Sequence, residues 1–213
     1  MTFNENERVL FQGDSITDGN RDRTLTDPNH FIGHSFPYLI SAKLSYKYMD
    51  KNPEFFSRGV SSDDVFLMRD RWQEDCLDLA PTIVNILIGV NDATRFVEGG
   101  HPTCDEYENT LNKLIEDTKA AFPNVRFVLC EPFFLDVNSS ASSKAIAENI
   151  VFRQEIVKRC AEKHNAIFVP LQKTLEYYAE KFNSKEKILL DGIHPSLFGH
   201  AIICEEWFKA VGV

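Results

Sequence analysis

Basic charge is in short supply in this sequence. The 213 residues carry 23 Lys and Arg against 32 Asp and Glu, a formal net charge of −9. Phosphate backbones and anionic membrane surfaces recruit an excess of lysine and arginine, so nucleic acid and membrane are not expected partners, whereas a neutral substrate stays open. Long apolar runs are missing too. The longest, IVNILIGV at residues 83–90, falls far short of the roughly 20 residues that cross a bilayer. The opening MTFNENERVLF has no basic segment followed by an apolar one, so no signal peptide is read and a cytoplasmic location is expected. The five cysteines, at 76, 104, 130, 160 and 204, are odd in number, widely spaced and without a CxxC pair. That excludes a disulfide framework or zinc site as the simplest reading and favours reduced, mostly buried thiols. His30, His34, His101, His164 and His200 show no metal-ligand spacing either. There is no repeat, low-complexity tract or linker, and one domain over 1–213 is expected.

What is present is an alternation. RVLFQG (8–13), EFFSRG (54–59), TIVNILIG (82–89), RFVLCEPF (126–133) and AIFVPL (166–171) read as strands. The third is nearly all apolar, as a strand covered on both faces should be. Helical periodicity fills the gaps: 35–48, 61–80 with Val65, Met68, Trp72, Cys76 and Leu79 on one face, 107–122, 146–160, 171–182 and 197–210. Within 61–80, the charged DRWQED (70–75) reads as a solvated face. Strand and helix taking turns from end to end predict a five-stranded, mostly parallel sheet with helices on both faces. Ligands in such sheets bind outside the carboxyl ends of the strands, where strand order reverses.

The residues at those ends carry chemistry. The first strand ends at Gly13-Asp14-Ser15, the second at Arg58-Gly59 and the third at Gly89-Val90-Asn91-Asp92, all expected on one edge of the sheet. LLDGIHPSLFGH (189–200) sets Asp191 three residues before His194. A serine hydroxyl is a weak nucleophile until a base takes its proton, and the base works best when a carboxylate fixes its tautomer. Ser15, His194 and Asp191 can fill those roles, with Gly192 in the turn letting the last two converge. Acyl transfer also needs donors for the developing oxyanion. The backbone N–H groups of Ser15 and Gly59 and the Asn91 side-chain amide can supply three, Gly59 because a missing Cβ admits a close-lying ligand. The chemistry requires no metal or cofactor.

Ser15 in GDSIT, Gly59 in RGVS, Asn91 in GVND and His194 in DGIHP stand in the order of the four signature blocks of the SGNH hydrolases, the GDSL esterase/lipase family, which the chain resembles over nearly its whole length. The resemblance implies a flavodoxin-like three-layer α/β/α fold and ester hydrolysis through an acyl-enzyme. It also implies Ser15, Asp191 and His194 as the triad, with Ser15, Gly59 and Asn91 as the oxyanion hole. VLFQGDSITD, LMRDRWQEDC, ILIGVNDATR and DGIHPSLFGH are further similar to the bacterial intracellular acetylxylan esterases, which implies acetylated xylo-oligosaccharides or related sugars as substrates. Such acetylesterases include oligomers, so a homo-oligomer is allowed for, although no segment argues for it directly. One block departs from the family: Ser57 and Ser62 stand where asparagine and a second glycine are usual, which bears on loop shape rather than chemistry.

Each residue also has a plainer reading. Ser15 can cap a helix, and Asn91 and His194 can be turn residues. Asp14 is read as a hydrogen-bonder to its loop and kept among the candidate substrate contacts; Asp18 and Asp92 are read as fixing loops. Arg95, Phe133 and Phe134 fall just past strand ends and are candidates to line an acyl or sugar pocket, the alternatives being an ion pair for the arginine and core packing for the phenylalanines. Three functions remain in view: a short-acyl serine esterase on sugars, a lipase- or thioesterase-type hydrolase of longer chains, and a flavodoxin-like binding domain without catalysis. A metal-dependent hydrolase is the weakest, for want of placed ligands.

Overall fold

The five apolar segments pair side by side. In the computed structural model, which describes Met1 through Val213, they are β1 (Arg8–Gly13), β2 (Glu54–Gly59), β3 (Ile83–Leu87), β4 (Arg126–Cys130) and β5 (Ile167–Val169). Every pairing is parallel and the order is β2-β1-β3-β4-β5. β4 and β5 stop short of the predicted ends because Pro132 and Pro170 cannot donate to a ladder; Glu131 N–H to the Val169 carbonyl, 2.9 Å, is the last bond between them.

Ten helices join the strands: α1 (Ser15–Asp18), α2 (Pro28–Phe31), α3 (Phe36–Lys47), α4 (Val65–Asp70), α5 (Trp72–Asp75), α6 (Val90–Gly99), α7 (Cys104–Ala121), α8 (Ala141–Lys163), α9 (Gln172–Lys181) and α10 (Leu197–Val211). None is long and apolar enough to cross a membrane. Period-two alternation sends Val9 and Phe11 of β1 into one core, with Phe36 and Ile40 of α3 and Trp207 of α10. Leu10 goes into the other, with Met68, Trp72 and Leu111 from α4, α5 and α7. The result is three layers, α/β/α, as the strand–helix alternation predicts. All five thiols are free, and only Cys104 is not fully buried.

The segment 61–80 differs from its single predicted helix. It breaks at Arg71 into α4 and α5, followed by a 3-10 turn at Leu77–Leu79. Arg71 leaves helical geometry (φ −108°, ψ 8°), and its guanidinium donates to the Arg58 carbonyl at 2.6 Å and the Gly13 carbonyl at 3.2 Å and pairs with Asp63 and Asp75. DRWQED is a solvated face only in part: Asp70, Gln73 and Glu74 are exposed, but its arginine turns inward and ties α4 and α5 to the ends of β1 and β2. Three helices lie outside the predicted helical segments, the first being α1, one turn directly after β1. α2 is a single turn begun by Pro28 with no buried residue. α6 follows Gly89 (φ +136°), its N-cap, and buries Val90 and Ala93 at helical spacing, a signal masked by the intervening polar residues.

Candidate active site

β1, β2 and β3 end together, Gly13 lying beside both Gly59 and Leu87 in register. The strand order reverses around β1, so this edge is the crevice where α/β sheets bind ligands. Ser15 opens α1 directly after β1. Asp14 caps that helix, its carboxylate accepting from Ile16 N–H at 2.9 Å. Gly59 lies so close to α1 that a Cβ there would meet the Asp18 nitrogen at 2.3 Å and the Thr17 carbonyl carbon at 2.7 Å. Only glycine lets β2 approach the Ser15 turn this way.

Ser15 Oγ lies 2.9 Å from His194 Nε2, and His194 Nδ1 lies 2.7 Å from Asp191 Oδ2. The other oxygen of Asp191 accepts from the backbone N–H of Ile193 (2.9 Å) and His194 (2.8 Å). Partial burial alone would raise this carboxyl; the His194 backbone and side-chain hydrogen bonds and the Ile193 N–H outweigh it and hold Asp191 below the usual carboxylate range. The turn that brings the pair together is pinned on both sides. Leu190 N–H donates to the His194 carbonyl at 2.8 Å and Leu135 N–H to the Gly192 carbonyl at 2.9 Å. Gly192 sits at φ +94°, and a Cβ would meet the Leu135 carbonyl oxygen at 2.4 Å. Ser196 then caps α10 through Phe198 and Gly199 N–H. The pair is open to solvent, with side-chain exposures of 46% for His194 and 54% for Asp191.

Asn91 is the second residue of α6. Its Nδ2 donates to the Asp63 carbonyl at 2.9 Å, which orients the amide and leaves its second hydrogen uncommitted. Asp63 was not among the sequence candidates; its role comes from a backbone carbonyl, which no residue identity encodes. Asp92 beside it is fully buried and accepts from Val65 N–H at 2.9 Å, locking α4 to α6.

Other candidates are used elsewhere. Arg95 pairs with Asp64 and donates to the Ser62 carbonyl at 2.7 Å, so it braces the loop before α4. Phe133 and Phe134 are buried in the core, 1% and 6% exposed, with Phe134 packed under the Gly192 turn. The alternatives to a pocket lining, ion pair and core packing, are what the side chains adopt. Asp14 is buried with its free oxygen unpartnered, and burial pushes its carboxyl up to about 7. Asp18 receives the Ser61 hydroxyl and faces Arg21 and Arg23. Ser62 takes φ +69°. A serine thus holds a left-handed turn conformation that glycine adopts freely, at a cost of about 1–2 kcal/mol.

Burial also pushes Asp92 up to about 7, against about 3.9 in an unfolded chain. Between those values the folded protein holds a proton that the unfolded chain has released, so stability falls as pH rises through that window. Asp92→Asn keeps an oxygen for Val65 N–H and cannot ionise. Thermal melts at pH 5 and pH 8 should show a smaller loss for the variant than for the wild type. Equal losses would mean Asp92 does not titrate there.

The chain matches the model of the GDSL-like lipase/acylhydrolase family over residues 11–202. It is 29% identical to the acetylxylan esterase of Geobacillus stearothermophilus across the whole of this chain and 97% of that protein. A crystal structure of that enzyme superposes with a TM-score of 0.86 over 100% of this chain and 97% of its own. Three further structures of it are of catalytic mutants in which a serine, an aspartate or a histidine is replaced by alanine. A GDSL-like lipase structure from Parabacteroides merdae gives a TM-score of 0.92 at 32% identity, covering 99% of this chain and 98% of that one.

Proposed function

The chain belongs to the GDSL-like lipase/acylhydrolase family and is a carboxylic ester hydrolase, and from that premise we propose that it removes acetyl groups from sugars or xylo-oligosaccharides through an acyl-enzyme on Ser15. The observation that carries this reading is the hydrogen-bonded chain from Ser15 Oγ through His194 to Asp191. His194 takes the Ser15 proton as Oγ attacks the ester carbonyl, and Asp191 holds the imidazole in the tautomer that can accept it. The Ser15 and Gly59 N–H groups and the Asn91 amide receive the oxyanion. His194 then gives its proton to the departing sugar hydroxyl, and a water deprotonated by the same histidine releases acetate and frees Ser15.

The openness of His194 and Asp191 supports a small acyl group on a bulky alcohol, since the carbohydrate can remain outside while acetate reaches Ser15. The likeness to an acetylxylan esterase supports the same substrate class. Hydrolysis of a matched ester series, from acetyl to long-chain acyl and including fully acetylated xylobiose, tests it. Fast acetate release that falls off steeply with chain length is expected. A preference for long chains would move the substrate to lipids or thioesters.

A further inference from the structure

A second cavity lies beside the edge strand. Phe56 and Arg58 of β2, with Val60 just beyond, point to one side by strand alternation, and no further strand covers them. Between them, the loop after α1 and helix α5 lies a cavity of about 660 Å³ whose wall carries four guanidinium groups, Arg21, Arg23, Arg58 and Arg71, against two carboxylates, Glu74 and Asp75. This is the reverse of the chain as a whole, which is acidic by nine charges.

Of the acids nearby, Glu74 is exposed with no basic partner and faces solvent at the rim, whereas Asp75, Asp63 and Asp18 are already engaged. Asp75 is held by Arg58 at 3.2 Å and Arg71 at 2.9 Å, Asp63 by Arg71 at 2.7 Å, and Asp18 lies 3.4 Å from Arg21 and 3.8 Å from Arg23. Arg21 is the informative one. Its side chain is only 7% exposed, yet its sole hydrogen bond is from Nε to the Gly59 carbonyl at 3.1 Å. Both Nη atoms, the fork that binds a carboxylate through two parallel hydrogen bonds, are left without a protein acceptor at the cavity wall. Burial and the neighbouring charges of Arg23 and Arg58 pull Arg21 down to about 10, a strain that an anion would relieve.

The remaining wall is apolar, with Leu25, Phe31, Phe56 and Val60. The volume is that of a site for a whole ligand, and aromatic walls suit a sugar ring. We propose that this cavity is a carboxylate site that holds a uronic acid residue of the oligosaccharide substrate. The assignment of an oligosaccharide rests on the esterase reading above. Arg21 joins the two sites: its Nε holds the carbonyl of Gly59, the residue whose N–H is assigned to the oxyanion, while its fork faces the cavity.

Calorimetric titration of the Ser15→Ala protein separates binding from turnover. The probes are a xylo-oligosaccharide with one uronic acid branch, its unbranched neutral counterpart, and inorganic phosphate. The acidic oligosaccharide should bind about tenfold tighter than the neutral one, the scale of a charge-assisted pair, and the preference should shrink with added salt. Arg21→Gln with Arg23→Gln should abolish it. Arg23→Gln alone, at a half-exposed side chain that tolerates change, should reduce it severalfold. Arg69→Gln, an exposed arginine paired with Asp70, should leave it intact. Equal binding of the two sugars, or a preference that survives both cavity substitutions, would overturn the proposal. So would phosphate binding as tightly as the acidic sugar, because the ring would then contribute nothing. Failure of wild type to release acetate would instead overturn the esterase reading, independently of these titrations.

Discussion

Replacing Ser15 by alanine should cut ester hydrolysis by about 10⁴- to 10⁶-fold, the loss seen when a serine nucleophile is removed and only binding and oxyanion stabilisation remain. The fold should not notice. Oγ makes one side-chain hydrogen bond, to His194, in a half-exposed setting, and losing one such bond costs about 0.5–1.5 kcal/mol or less. The Asp14 cap, the Asp191–His194 pair and the backbone of α1 do not depend on it. Initial rates of acetate release and a thermal melt on the same preparation check both halves. Turnover within about tenfold of wild type would rule out Ser15 as nucleophile. A collapsed melting temperature would mean the hydroxyl is structural, which its plainer reading as a turn residue would require.

Much of this was legible in the sequence because strand ends are where chain pattern and chemistry meet. GDSIT, RGVS and GVND each follow a strand predicted by its apolar run, and parallel pairing brings Gly13, Gly59 and Leu87 into one register row. DGIHP was legible because three residues suffice for Asp191 and His194 to converge once a glycine opens the turn. What was hidden depends on partners far along the chain. Arg71 looks like one charge among several in DRWQED; its carbonyl acceptors at Gly13 and Arg58 lie 58 and 13 residues away. Arg95 follows the third strand closely enough to suggest substrate contact, but Asp64, 31 residues earlier, captures it. Phe133 and Phe134 differ from pocket-lining phenylalanines only in which way the chain turns after Pro132, and no local pattern specifies that. The start of α6 is hidden because a glycine stands just before it and an asparagine and an aspartate, poor helix formers, occupy its first turn. Their roles are set by partners elsewhere in the fold: Gly89 sets the turn, Asn91 donates to the Asp63 carbonyl and Asp92 ties α4.

That arrangement makes Asn91→Ala the second large effect. An amide that stabilises only the developing oxyanion contributes nothing to ground-state binding, so kcat should fall by about 10²- to 10³-fold while KM changes little. The geometry allows for this split. One Nδ2 hydrogen is spent on the Asp63 carbonyl at 2.9 Å, which fixes the amide before substrate arrives, and a donor already oriented needs no reorganisation as charge develops. The same bond sets the control. Alanine also releases Asp63, whose side chain pairs with Arg71, so a disturbed loop is the competing cause of any loss. A disturbed loop would lower the melting temperature and raise KM together with the fall in kcat, because α4 and the Gly59 turn would shift as one. A fall in kcat alone, with KM and melting temperature unchanged, assigns the loss to the transition state. An unchanged rate would place the third oxyanion donor elsewhere and leave Asn91 as a brace between α6 and the loop before α4.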